Sequence, residues 1–173
     1  MAKRFRAIAA GSDRVIRIRY QVRGSTIAEI TESLSKNRPM KSNFWADYSW
    51  KLHGGNPNSA VLQYQFFTLS PRLASRPESA IRKRWNEYYS DTMRHEANHT
   101  RIEKASVRRM LKAGSRAELA KVHKFATILD NRYDKVTDHG RLEGCRIDFK
   151  GKKRDFTKVV DRYIRRIGEF EPK

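Results

Sequence analysis

From Glu78 to Ala113 the chain runs without a glycine or a proline, and in the middle of that stretch stands His95-Glu96-Ala97-Asn98-His99. Nothing in this segment breaks a helix, so a long helix is expected, bounded by Pro77 at its first position and Gly114 at its C-cap. On a helix, residues four apart lie one turn apart on the same face. His95 and His99 can therefore direct both imidazoles at one ion. Glu96 projects to a neighbouring part of that face, within reach of a water on the ion. H-E-x-x-H on a helix is the arrangement of a zinc hydrolase, with the two histidines as ligands and the glutamate as general base. The bland reading is a solvated helix with two surface histidines.

Two histidines do not complete a catalytic zinc site, which usually has three protein ligands and one open position. His139 is the first choice for the third. It follows the next helix in Tyr133-Asp134-Lys135-Val136-Thr137-Asp138-His139-Gly140, where the chain can fold back on the motif and Gly140 eases a tight turn. Asp134 and Glu103 are the alternatives. Glu103 is four residues beyond His99, and helical drift carries it to the side of the ion. His123 reads as a surface or core-edge residue, and His53 as a polar residue at a loop edge.

The flanking pattern is α+β. Ile16, Ile18, Tyr20 and Val22 alternate with Arg17, Arg19, Gln21 and Arg23, the period of a half-buried strand. Thr26 and Glu29 form a capping box for a helix through about Lys36, with Ile27, Ile30 and Leu34 as its buried stripe. Phe44–Leu52 and Val61–Leu69 read as two strands of a hairpin. Ala46, Tyr48, Trp50 and Leu52 share one face of the first strand. The turn formers His53-Gly54-Gly55-Asn56-Pro57-Asn58 lie between the strands. Along the long helix, Ile81, Trp85, Tyr88, Tyr89, Ala97, Ile102 and Ala105 keep helical spacing. Ser115 and Glu118 start a further helix with Leu119, Val122, Ala126 and Leu129 on its core side. A last amphipathic helix, Asp155 to Ile167, carries Phe156, Val159, Val160, Tyr163, Ile164 and Ile167 on one face and is expected to dock on the body. The whole is a small antiparallel or mixed sheet packed against the long helix and a second one. A domain is expected over 1–144, with a basic C-terminal extension over 145–173.

Composition adds the charge. Among 173 residues, 38 Lys and Arg face 19 Asp and Glu, a net +19. Such a surface attracts polyanions or acidic partners. The excess is spread out, without a block of five or six consecutive cations, as a solvated face would have it. A peptide or protein substrate is expected, with nucleic-acid binding as a rival reading and a non-catalytic zinc or assembly module as another. No apolar run is long enough for a membrane span. The N-terminus lacks the apolar stretch of a signal peptide, so the chain as written reads as cytoplasmic. The single cysteine, Cys145, excludes an internal disulfide.

The order of these features resembles a bacterial family of predicted secreted zinc-dependent proteases, catalogued as a domain of unknown function. The resemblance covers about residues 15–140. Its pieces are Tyr20-Gln21-Val22-Arg23-Gly24-Ser25-Thr26, the helix Ala28 to Leu34, Asn37-Arg38-Pro39, Trp45 to Trp50, Thr68-Leu69-Ser70-Pro71-Arg72, Trp85, the H-E-x-x-H, and the Y-D-x-x-T-x-H-G segment at 133–140. It implies a zincin-like hydrolase in which His95, His99 and His139 bind Zn2+ and Glu96 is the base. Tyr133 or Asp134 would orient a ligand or stabilise the oxyanion. The family is mostly secreted, whereas this chain shows no signal segment, no paired cysteines and a strongly basic surface.

Overall fold

The computed structural model describes residues 5–39, 46–54 and 58–172. Three strands and four α-helices stand among them, in the order β1 (Arg6–Val22), α1 (Ile27–Lys36), β2 (Ala46–His53), β3 (Ser59–Leu73), α2 (Ser79–Met110), α3 (Arg116–Thr137) and α4 (Thr157–Gly168), with a 3-10 turn at Arg141–Glu143 between the last two. The strand order is β1-β3-β2. β2 and β3 form the antiparallel hairpin, from Ala46 opposite Thr68 to His53 opposite Val61. β1 runs parallel to β3, so the sheet is mixed. Phe44, Trp45 and the loop residues Gly55, Asn56 and Pro57 lie outside the described residues, as do the side chains of Ala46 and Tyr48.

β1 begins eight residues earlier than the alternation at Arg14 implies. A register shift between Gly11 and Val15 interrupts its pairing with β3, and that irregularity hides the first half from a period-two reading. The capping box of α1 is present. Thr26 Oγ1 accepts from the Glu29 amide at 3.2 Å, and the Glu29 carboxylate accepts from the Thr26 amide at 3.3 Å and from the Ser25 amide at 2.7 Å. Ile30 and Leu34 are buried.

α2 is the longest helix, and its N-cap is Glu78. Pro77 therefore precedes the cap instead of occupying the first helical position. The helix ends at Met110, before Gly114. Ala97 is exposed, contrary to its place in the expected apolar stripe. The helix phase is set by the polar side chains that are buried, His95, Asn98 and His99, so a hydrophobic count misplaces that turn.

The core has three parts strung along α2. At its N-terminal end Trp85 and Tyr88 meet Tyr20, Val22, Ile30, Leu34 and Leu69. At its C-terminal end Val107 and Met110 meet Leu62, Tyr64 and Phe66 of β3 and Leu119 and Val122 of α3. On another side Ile102 and Ala105 meet Ala126, Leu129 and Tyr133 of α3 and Val160, Tyr163 and Ile167 of α4. α4 is thus docked through its apolar face. At roughly 1.5–3 kcal/mol for each fully buried large apolar side chain, these contacts hold the middle of α2 rigidly. That middle, walled by α3 and the 141–143 turn, is where the polar residues of α2 gather.

Candidate metal centre

His95 and His99 leave α2 on one face, as their spacing requires, and both are buried. Their Nε2 atoms lie 3.2 Å apart. Asp134, from the last turn of α3, brings Oδ1 to 3.1 Å from His99 Nε2 and 3.4 Å from His95 Nε2. These three side chains form a group able to hold a metal ion. Ligand bonds of about 2.0–2.1 Å at tetrahedral angles would separate donor atoms by about 3.3–3.4 Å. The observed triangle of 3.1, 3.2 and 3.4 Å fits that requirement.

The other ring nitrogens are already committed. His95 Nδ1 meets Glu143 Oε2 at 2.6 Å, and His99 Nδ1 meets Asp130 Oδ1 at 2.7 Å. A carboxylate on Nδ1 keeps the proton there and leaves the Nε2 lone pair for an ion. Both Nε2 lone pairs therefore converge on the space beside Asp134 Oδ1. The chemistry of the donor set, two imidazoles and one carboxylate, suits a divalent ion of the zinc type.

Without an ion, the carboxylates hold protons in the group. Burial lowers the His99 pKa, but hydrogen bonds to Asp130 and Asp134 outweigh it and lift the value to about 11. Burial also opposes charge on His95, and its bonds to Asp134 and Glu143 again leave the pKa raised. Burial works against the Asp134 charge as well. Hydrogen bonds from the two imidazoles win and hold its carboxyl well below the usual carboxylate range. Glu96 is buried, and burial pushes its carboxyl up while His99 and His95 pull it back.

The structure does not bring His139 into the triangle. Asp138 and His139 both adopt left-handed backbone, with φ of 53° and 51°. This ends α3 and turns the His139 ring outward, where its side chain is 81 % exposed and its Nδ1 is 3.9 Å from Asp134 Oδ2. Asp134, the alternative, supplies the third donor in its place. Glu103 is buried one turn beyond His99 and stands outside the three-donor group.

Of the two roles expected of Tyr133, its surroundings match orienting a ligand and not stabilising an oxyanion. Tyr133 is fully buried. Its ring lies nearly parallel to His95, with centroids 5.0 Å apart, and edge-on to His99 at 4.9 Å. Its hydroxyl donates to Glu143 Oε2 at 2.8 Å and accepts from Asn98 Nδ2 at 2.9 Å. Both sides of that hydroxyl are used in holding the carboxylate that holds His95, so it is not available to a substrate oxyanion.

Sequence reasoning missed Asp130, Glu143 and Asn98. Asp130 stands four residues before Asp134, so the i,i+4 rule on α3 places both carboxylates on the face that meets α2. Glu143 has no such signal. It arrives through Gly140, whose φ of 78° turns the chain directly beneath His95. A Cβ at Gly140 would lie 2.8 Å from Cys145 Sγ, closer than real side chains come, and in tight contact at 3.2 Å with His95 Cγ. His53 bonds Gln63, and His123 accepts from Trp50 Nε1 at 3.3 Å; neither belongs to the site. No helix of the described residues is long and apolar enough to cross a membrane.

The family described as a bacterial protein of unknown function (DUF922) matches residues 18–140, well over half of the chain, and the chain belongs to that family. No curated protein and no solved structure matches it.

Proposed function

We propose that this DUF922 member is a zinc-dependent hydrolase of zincin type that cleaves peptide amide bonds. The observation that carries the reading is the triangle of His95 Nε2, His99 Nε2 and Asp134 Oδ1, set at tetrahedral spacing with Glu96 beside it on the same helix. A zinc ion held there would supply a Lewis acid, acidifying a water and polarising a carbonyl.

The protein's own residues do the rest. Asp130 and Glu143 fix the two imidazole tautomers. Glu96 takes the proton of the attacking water and returns it to the leaving nitrogen. Burial moves its carboxyl above the usual carboxylate value, which is the direction a general base needs. Asp134, whose carboxyl the two imidazoles hold well below the usual carboxylate range, would offset the ion's charge. His139, exposed beside Asp134, is left to meet the substrate instead of the ion.

The test is Glu96→Gln in the full chain. Ion content measured by elemental analysis should stay at the wild-type level. Peptide hydrolysis, read on a broad peptide library, should fall by about 10²–10⁴-fold. Full activity in the variant would refute the assignment of the base, and a wild-type protein that cleaves no peptide would refute the substrate class.

A further inference from the structure

Glu143, which bonds His95 Nδ1 at 2.6 Å, comes from a part of the chain that the family match does not reach, since the match ends at residue 140. We propose that residues 141–154 are a built part of the ion site: Glu143 is a positioning residue for His95, and docking of this segment and binding of the ion are thermodynamically coupled. The proposal rests on the metal-centre reading above.

The Glu143 side chain is only 2 % exposed. A buried carboxylate is costly unless its oxygens are bonded, and here His95 and Tyr133 both donate to Oε2. Those bonds exist only while the segment is docked. The docking itself is held by a clamp on α2. Asp91 is buried, and its carboxylate takes Lys153 Nζ at 2.6 Å and Arg94 Nη2 at 2.9 Å. Arg94 also donates to the Glu143 carbonyl at 3.3 Å. Between these contacts the backbone of Gly144, at φ 95°, passes so close to Asp91 that a Cβ would sit 2.6 Å from Oδ2. The Arg154 amide donates to the Leu142 carbonyl at 2.8 Å and closes the loop.

The coupling follows from the shared group. An ion needs His95 with its proton on Nδ1 and its Nε2 lone pair free, and the bond to Glu143 holds the ring in that tautomer and orientation. An ion therefore favours the docked segment, in which that bond exists. By reciprocity, whatever undocks the segment weakens the ion. The exposed stretch Lys150, Lys152, Lys153 and Arg154 lies within the loop and offers trypsin sites that report its opening.

Zinc affinity of the full chain would be measured by competition with a chromophoric chelator for the wild type, Glu143→Gln and Asp91→Asn. Tryptic cleavage within 150–154 would be timed with and without zinc. Glu143→Gln should weaken zinc by about 10–100-fold. Asp91→Asn, which breaks the clamp and leaves every trypsin site in place, should weaken it by about fivefold and speed cleavage. Zinc should slow cleavage of the wild type by about fivefold or more.

A merely structural Glu143 would lower the melting temperature equally with and without zinc and leave the affinity alone. Glu143→Gln within twofold of wild-type affinity, or wild-type cleavage indifferent to zinc, overturns the coupling while the metal centre stands. If Glu143→Gln does not fold, Asp91→Asn decides in its place. A wild type that binds no zinc overturns the metal centre and this proposal with it.

Discussion

Tyr133→Phe separates two roles for one side chain, and the structure says how large the effect is. The substitution keeps the ring against His95 and His99 and removes only the hydroxyl. That hydroxyl serves two buried partners, the Glu143 carboxylate at 2.8 Å and the Asn98 amide at 2.9 Å. A hydrogen bond to a charged group is worth about 1.5–3 kcal/mol and a neutral one about 0.5–1.5 kcal/mol, so the loss comes to about 2–4.5 kcal/mol. For a chain of this size that lowers the melting temperature by about 4–18 °C. Circular dichroism reads the melt of the ion-free protein, and chelator competition reads the zinc affinity. Both should fall, because the loosened Glu143 no longer fixes His95. Were Tyr133 an oxyanion donor instead, the variant would melt like wild type, bind zinc normally and lose turnover alone. A melting temperature within about 2 °C of wild type, with unchanged affinity, would refute the buried-support role.

Two further outcomes follow from the same geometry. His139→Ala should keep a full complement of zinc while Asp134→Ala loses it, as elemental analysis would show; the reverse pattern would restore His139 as the third ligand. Zinc affinity should rise with pH between about 6 and 8.5, because an ion must displace the Nε2 proton of His99, whose pKa is lifted to about 11, and any proton still held by His95, which is also raised; each displaced proton contributes up to about tenfold per pH unit. The ion-free protein runs the other way. The stabilisation from a raised histidine is complete below the unfolded value of about 6.5 and is lost as pH climbs toward the folded value, so its melting temperature should decline from neutral to alkaline pH. A chelator titration that is flat across this range, or an ion-free protein that gains stability with alkali, would contradict the proton-holding arrangement.

What could be read from the residues was whatever repeats locally. The capping box at Thr26 and Glu29, the break-free run that becomes α2, the core stripe of α3 and the apolar face of α4 all depend on neighbours within a turn or two, and all appear in the structure. The i,i+4 pairing of His95 and His99 is of the same kind. The departures begin where backbone geometry redirects the chain. Whether residue 134 or 139 reaches the two imidazoles depends on two successive left-handed residues, Asp138 and His139, that no composition announces. The sequence favours His139 because the chain can fold back after the helix with Gly140 easing the turn, but Asp134 is still on α3 and so already aimed at α2.

Charge made the other concealment. A hydrophobic count looks for apolar stripes, yet the face of α2 that matters buries Asp91, His95, Glu96, Asn98, His99 and Glu103. Buried polar groups must be bonded, so a helix with this many of them requires partners of complementary charge from elsewhere in the chain. Asp130 and Asp134 meet the two imidazoles from α3, and Glu143 and Lys153 meet His95 and Asp91 from beyond residue 140. The requirement was visible in the sequence from α2 alone once its phase is known. Which residues satisfy it was not, because they lie 31 to 62 positions away and only the packing of α3 and the turn at Gly140 bring them in. The basic extension over 145–173 is expected to dock through the apolar face of its helix, and nothing in its sequence singles out one cation from the others. Lys153 is the one held by the buried Asp91 carboxylate, and that contact ties the stretch before α4 to α2 beside the site.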